Sequence, residues 1–289
     1  MAANAKSQVF FWLMVVVIVG AVGGVMFLGQ QQGVMSGRPD ISGGPRTDAP
    51  MGAYTRYFEK KSAKVPSGVV NLDLTYHWYA PSKPWPQGIK FPLVMVLHGA
   101  PGNAYAAQYL LQREMLINFP AFVFVPVLPW GMTWYEPSSS PQGNDYDKQR
   151  PKGLPGAMAV LEKIMQEYPV DTSRIYVIGC SEGGTGAFGA VKEYGDKIAA
   201  SVAISGGWAP QHAAYFKKTP MLVMHGAVDS VIPVVRSRDV SVAARRLGAP
   251  LDYIEFPGMD HNCPAPQLYG PTVWRWMFSK KKPPAPQPQ

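Results

Sequence analysis

The sequence predicts an α/β domain built on a mostly parallel sheet with helices on both faces. Two kinds of segment and their order carry that expectation. Short apolar, β-branched runs bounded by Gly or Pro, such as PLVMVLHG (Pro92 to Gly99) and RIYVIG (Arg174 to Gly179), read as strands covered on both faces. Stretches such as GAMAVLEKIMQEY and VVRSRDVSVAARRLG repeat apolar residues at helical spacing. The two kinds alternate along the chain, which implies parallel pairing with right-handed crossovers. With 289 residues and 47% hydrophobic content, the chain is long enough for one full core plus extensions.

Residues Val9 to Gly29 carry no charge and at about 1.5 Å per residue reach about 30 Å, the thickness of a bilayer core. Residues 9–29 are therefore expected to form a transmembrane signal anchor. A cleavable signal peptide is the competing reading, with Ala21 and Gly23 as small residues at a processing site. Lys6 precedes the run and no charge follows it until Arg38, so residues 1–8 are expected in the cytoplasm and the folded domain on the extracytoplasmic, periplasmic side. Residues 30–53, rich in Gly, Pro and Gln, read as a flexible linker.

The folded domain is expected over residues 54–279. VVNLDLTYHWYAP alternates as a strand with one solvated face would, which puts His77 on the surface, and PLVMVLHG follows as a buried strand. AYAAQYLLQREML has one helical period, and FVFVPVLP is the next strand. The segment from Trp130 to Pro151 is too long for an ordinary connection. Its Trp130, Trp134 and Tyr135 either line a substrate pocket or pack beneath the loop as a small core. After the strand RIYVIG come the helix GTGAFGAVKEYG, the strand SVAISGG and the strand TPMLVMHG. The helix VVRSRDVSVAARRLG, the strand DYIEFPG and the helix PTVWRWMFS complete the domain, and residues 280–289 form a basic, Pro-rich tail. Only a short connection separates SVAISGG from TPMLVMHG, so no cap domain is inserted there and the site is expected to be open.

The pattern Gly179-Cys180-Ser181-Glu182-Gly183 is GxSxG, placed where a strand ends and a helix begins. That shape lifts a serine hydroxyl out of the sheet toward a base and toward the positive end of a helix. Ser181 is the candidate nucleophile. A base is then needed on a loop after the last strand, and His261 lies there in GMDHNCP. His77, His98, His212 and His225 are read as structural or surface residues. Asp229, in HGAVDSVIP, is the candidate acid; Asp260 is the rival, but a residue adjacent to the imidazole points away from it. The backbone N–H of Glu182 and that of Ala100, in the glycine-bearing turn HGAPGN, are the candidate oxyanion donors.

With these motifs in place, the chain from about Val69 to Phe278 resembles the α/β-hydrolases. Within them it is similar to the small cap-less carboxylesterase and predicted-peptidase group that includes phospholipase/carboxylesterases and polyhydroxybutyrate depolymerase-like esterases. VMVLHGAPGN, VDTSRIYVIGCSEGG, TPMLVMHGAVDSVIPV and YIEFPGMDHN carry the resemblance, in the family's order and spacing. It implies that Ser181, Asp229 and His261 form a catalytic triad and that the loop after His98-Gly99 completes the oxyanion hole. Glu182 departs from the pattern, since Met, Gln or Leu commonly follows the serine, and a carboxylate at the rim is expected to disfavour anionic substrates.

Cys180 immediately precedes Ser181 and Cys263 follows His261 by two residues, so a working Ser–His pair brings the two cysteines close. A disulfide and a pair of separate thiols both fit that proximity. Some tannase-like and feruloyl-esterase-like hydrolases similarly tie a cysteine before the serine to one directly after the histidine.

The net charge of +8 includes Lys6 and the tail lysines Lys280, Lys281 and Lys282, and the aromatics are not interleaved with basic clusters, which argues against nucleic-acid binding. No CxxC or HExxH is present, and neither a metal nor another cofactor is expected. The expected activity is hydrolysis of a small-molecule or lipid-like carboxylic ester through an acyl-enzyme. The bilayer contacts residues 9–29. A serine peptidase, or an idle fold serving as an accessory subunit of a membrane protein complex, are the rival readings.

Overall fold

The computed structural model describes residues 56–67, 70–100, 102, 104–135 and 152–283. The expected cytoplasmic segment, membrane helix and linker, residues 136–151 of the long loop, and the last six residues of the tail lie outside the described residues. Among the described residues, no helix is long and apolar enough to cross a membrane.

The strands are β1 (Glu59–Ser67), β2 (Val70–Tyr79), β3 (Phe91–Leu97), β4 (Phe122–Pro126), β5 (Val170–Cys180), β6 (Ala200–Ile204), β7 (Met221–Gly226) and β8 (Leu251–Phe256). They form one sheet in the order β1-β2-β4-β3-β5-β6-β7-β8. β2 runs antiparallel to both β1 and β4, and every pairing from β4 to β8 is parallel. The helices are α1 (Tyr105–Leu110), α2 (Arg113–Asn118), α3 (Leu154–Glu167), α4 (Glu182–Tyr194), α5 (Val235–Arg246) and α6 (Pro271–Phe278).

Alternation along the strands sorts the core into two layers. Leu93, Met95, Leu97, Ile175, Val177, Met221 and Val223 face one side, where Ala157, Leu161, Phe188 and Val240 of α3, α4 and α5 cover them. Val94, Val96, Tyr176, Ile178, Leu222 and Met224 face the other, under Ala106, Met115, Val273 and Trp274 of α1, α2 and α6. Because both faces are covered, the central strands are apolar at consecutive positions rather than alternately. That made them legible.

Three expectations need correction. The strand β1 was not expected, because its sequence EKKSAKVPS holds only two apolar inward residues, Ala63 and Val65. It is an edge strand, with Lys60, Lys64 and Pro66 turned to solvent in the manner that blunts an open edge. The helical run AYAAQYLLQREML divides at Leu111 and Gln112 into α1 and α2. His77 is not on the surface: at 2% exposure it is covered by the edge-on ring of Phe58.

Candidate active site

Ser181 caps α4 with φ 60° and ψ −123°, a backbone conformation that costs a non-glycine residue about 1–3 kcal/mol. The surroundings hold it there. Its N–H donates to Ile204 O (2.9 Å) and its carbonyl accepts from Thr185 N–H (3.1 Å). The neighbouring glycines supply room. A Cβ on Gly183 would lie 2.0 Å from Leu97 O, and one on Gly184 would lie 2.3 Å from Ile204 O. The turn is therefore sharp because α4 starts in direct contact with the ends of β3 and β6. The N–H of Glu182 belongs to the first turn of that helix, where the dipole is positive.

Gly99 lies against the serine, since a Cβ built on it would sit 3.1 Å from Ser181 Cβ. Gly102 N–H closes the turn onto Gly99 O (2.7 Å), which places Ala100 between them. His98 anchors this turn. Leu128 N–H donates to its Nε2 (2.9 Å), so the proton is on Nδ1, which donates to Gly99 O (2.9 Å). His98 is neutral and structural, as expected.

Trp134 and Tyr135 pack in the core, the second of the two arrangements open to them. Trp134 is fully buried and donates from Nε1 to His98 O (2.7 Å). Tyr135 packs on Trp208 with ring centroids 5.2 Å apart and donates to Glu193 Oε1 (2.5 Å). Their indole and phenol groups found partners inside, which a loop sequence does not reveal. Trp130 is 68% exposed.

Asp229 sits on the loop after β7 with its side chain fully buried. Oδ1 accepts from Val231 N–H (2.9 Å) and Ile232 N–H (2.8 Å). Oδ2 accepts from His261 Nδ1–H (2.8 Å) and lies 3.1 Å from His225 Nε2. Burial alone would push its pKa up. The hydrogen bonds from His225, His261 and Ile232 N–H outweigh burial and hold it well below the ordinary carboxylate range. A depressed folded value stabilises the fold above the ordinary carboxylate pKa, and that stabilisation fades as pH falls below it.

The rival acid does something else. Asp260 Oδ1 accepts from Ser230 N–H (2.7 Å), Ser230 Oγ–H (2.8 Å) and His261 N–H (2.7 Å), tying the loop of Asp229 to that of His261. These donors, the backbone of Ser230 first, hold its pKa below the usual value. An open cleft of about 660 Å³ lined by Met259, His261, Asn262 and Gln267 runs beside the imidazole.

Cys180 and Cys263 are joined by a disulfide, with Cα atoms 5.9 Å apart. Of the two arrangements left open by the sequence, the bridge is the one formed. It fastens the loop of His261 to the strand that ends on Ser181.

Residues 91–268, more than half of the chain, match the phospholipase/carboxylesterase family. The chain belongs to that family. The chain accordingly has an α/β-hydrolase fold. A curated relative, the bifunctional acetylxylan esterase/xylanase XynS20E of Neocallimastix patriciarum, is 29% identical over 156 residues, or 54% of this chain, and the match spans 21% of that relative. The solved structure of a thermostable esterase superposes with a TM-score of 0.69 at 25% identity, covering 79% of this chain and 64% of its own. The acylaminoacyl peptidase of Pyrococcus horikoshii shares the fold with a TM-score of 0.57 at 16% identity, over 80% of this chain and 43% of its own.

The bridge of this phospholipase/carboxylesterase closes a sequence separation of 83 residues. In the chain-entropy description that stabilises the domain by about 4.5 kcal/mol. Reduction is expected to lower the melting temperature by roughly 10 °C, given about 2–4 °C per kcal/mol for a domain of this size. Differential scanning calorimetry with and without reductant checks this, and coincident transitions would show that the bridge contributes nothing.

Proposed function

We propose that this chain is a membrane-anchored hydrolase of carboxylic esters. In this reading Ser181 attacks the acyl carbonyl while His261 takes its proton. Nδ1 of His261 is engaged by Asp229, so Nε2 is the nitrogen for proton transfer, first as base and then as acid to the departing alcohol. The N–H groups of Glu182 and Ala100 receive the developing oxyanion. Water then attacks the acyl-Ser181 intermediate with His261 again as base. The single observation that carries the reading is the 2.8 Å bond between His261 Nδ1 and buried Asp229, on loops bolted to the elbow by the Cys180–Cys263 bridge.

A fluorophosphonate probe tests it. Labelling of the wild-type chain, absent after Ser181→Ala, is the expected result, and labelling that survives the substitution would sink the assignment. The esterase relatives support carboxylic esters as substrates, with acetyl esters first in a chain-length panel. The connection from β6 to β7 holds only a short 3₁₀ turn, Pro210–Phe216, with no cap domain inserted there.

The uncharged run Val9 to Gly29 supports the anchor, and a disulfide supports an oxidising, extracytoplasmic setting for the domain. The full chain is expected to resist carbonate extraction from membranes, whereas a chain starting near Ala53 is expected to be soluble and active. Fractionation followed by ester assay decides it, and a mature N-terminus near Gly24 would establish cleavage instead.

A further inference from the structure

His225 ends β7, is fully buried, and has no part in the mechanism above. Its surroundings assign its protons. Nε2 lies 2.9 Å from Ile232 O and 3.1 Å from Asp229 Oδ2, and both are acceptors, so Nε2 carries a proton in every state. Nδ1 lies 2.7 Å from Ser237 Oγ, which lies 2.8 Å from Gly206 O. The chain of contacts continues, because Gly206 packs against Gly184 so closely that a Cβ on it would lie 2.5 Å from Gly184 C. A buried polar network thus links the acid on the β7 loop to the backbone of the elbow helix.

We infer that His225 is a positioning residue for the reaction: its Nε2–H shares Oδ2 of Asp229 with His261, fixing the carboxylate and dividing its charge between two imidazoles. Two donors on one oxygen leave that oxygen a single orientation. They also weaken what the carboxylate offers to either one. A proton added to His261 is therefore less stabilised than it would be by an undivided carboxylate.

The other groups around His225 do not replace this donor. Glu255 stands across from it on β8, but its carboxylate is taken by Arg238 (2.7 and 3.0 Å) and by the hydroxyl of Tyr253 (2.6 Å). Asp260 is held by Ser230 and by the backbone of His261. From α5, Ser237 is the hydroxyl at Nδ1.

Two substitutions separate positioning from filling. His225→Leu keeps the bulk and removes the donor; His225→Gln keeps an N–H where Nε2 was. In the Leu variant, kcat is expected to fall by roughly tenfold or more with KM little changed, the loss of one hydrogen bond to a charged group. The acid limb of its kcat/KM profile is expected to move to higher pH by about 0.5 unit or more, because an undivided carboxylate favours protonated His261. The Gln variant is expected to restore both the rate and the limb. A Leu variant whose limb coincides with that of the wild type, or a Gln variant as slow as the Leu variant, overturns the inference.

A second measurement needs no change at His225. Proton NMR of the wild-type domain is expected to show, beside the Nδ1–H of His98, two slowly exchanging imidazole N–H protons that Asp229→Asn displaces; only one displaced proton overturns the inference. The inference rests on the triad reading, whose own failure appears elsewhere, as activity surviving Ser181→Ala.

Discussion

Ser181→Ala and His261→Ala are each expected to lower kcat by about 10⁴-fold or more while leaving the fold intact. Both side chains act in the same proton-coupled step, so removing either removes most of what the other contributes, and the double variant should be scarcely slower than either single one. Neither change unbalances the structure. The strained turn at Ser181 is held by backbone bonds to Ile204 and Thr185 and by packed glycines, none of which involves the hydroxyl. The His261 side chain keeps 14% of its surface exposed, so its loss opens no deep cavity. Steady-state hydrolysis of p-nitrophenyl acetate with circular dichroism alongside provides the test. If either variant kept more than about a tenth of wild-type kcat, a loss under 1.4 kcal/mol, the assignment would be wrong.

Asp229→Asn is expected to cost about 10³-fold. Every contact made by this carboxylate is to an N–H: Val231 and Ile232 on one oxygen, His261 and His225 on the other. An asparagine NH2 must therefore face a donor whichever way the amide is turned, which misorients His261 or forces its other tautomer. Asp260→Asn is expected to cost less than about tenfold, since Asp260 is exposed and holds the loop of His261 only through its backbone N–H. Measuring the pair side by side decides between the two acids. Should Asp260→Asn be the slower variant, Asp229 is not the group that orients the base.

The sharp turn at Ser181 and the pairing of Asp229 with His261 were readable from local chemistry: glycines where backbones touch, and Asp and His on loops that follow apolar strands. The central strands were readable for a related reason, being covered on both faces. What escaped depends on partners distant in sequence. The strand β1 exists because β2 pairs with it, and its own residues are mostly Lys, Ser and Pro at an edge. Trp134 is buried because His98, 36 residues away, offers a carbonyl to its indole. His225 stands four residues before Asp229, and that spacing was its only signal. Cysteine proximity was legible, but a bond also requires converging side chains, and sequence carries no such geometry.

The direction of β1 has a spatial consequence. It is antiparallel to β2, which is antiparallel to β4, so β1 runs in the direction of the parallel strands, and through Trp78, Phe124 and Met95 its first residue, Glu59, is level with Val177 of β5. The far end of the described chain returns to the start of β5, with Lys282 N–H bonded to Ser173 O (2.9 Å). From Ser173 to Ser181 the strand climbs eight residues, about 26 Å at the rise of a β-strand. The far end of the described body thus leaves from one pole of the sheet, and Ser181 stands at the other. A residue at the far end of the described chain is therefore separated from Ser181 by most of the length of β5.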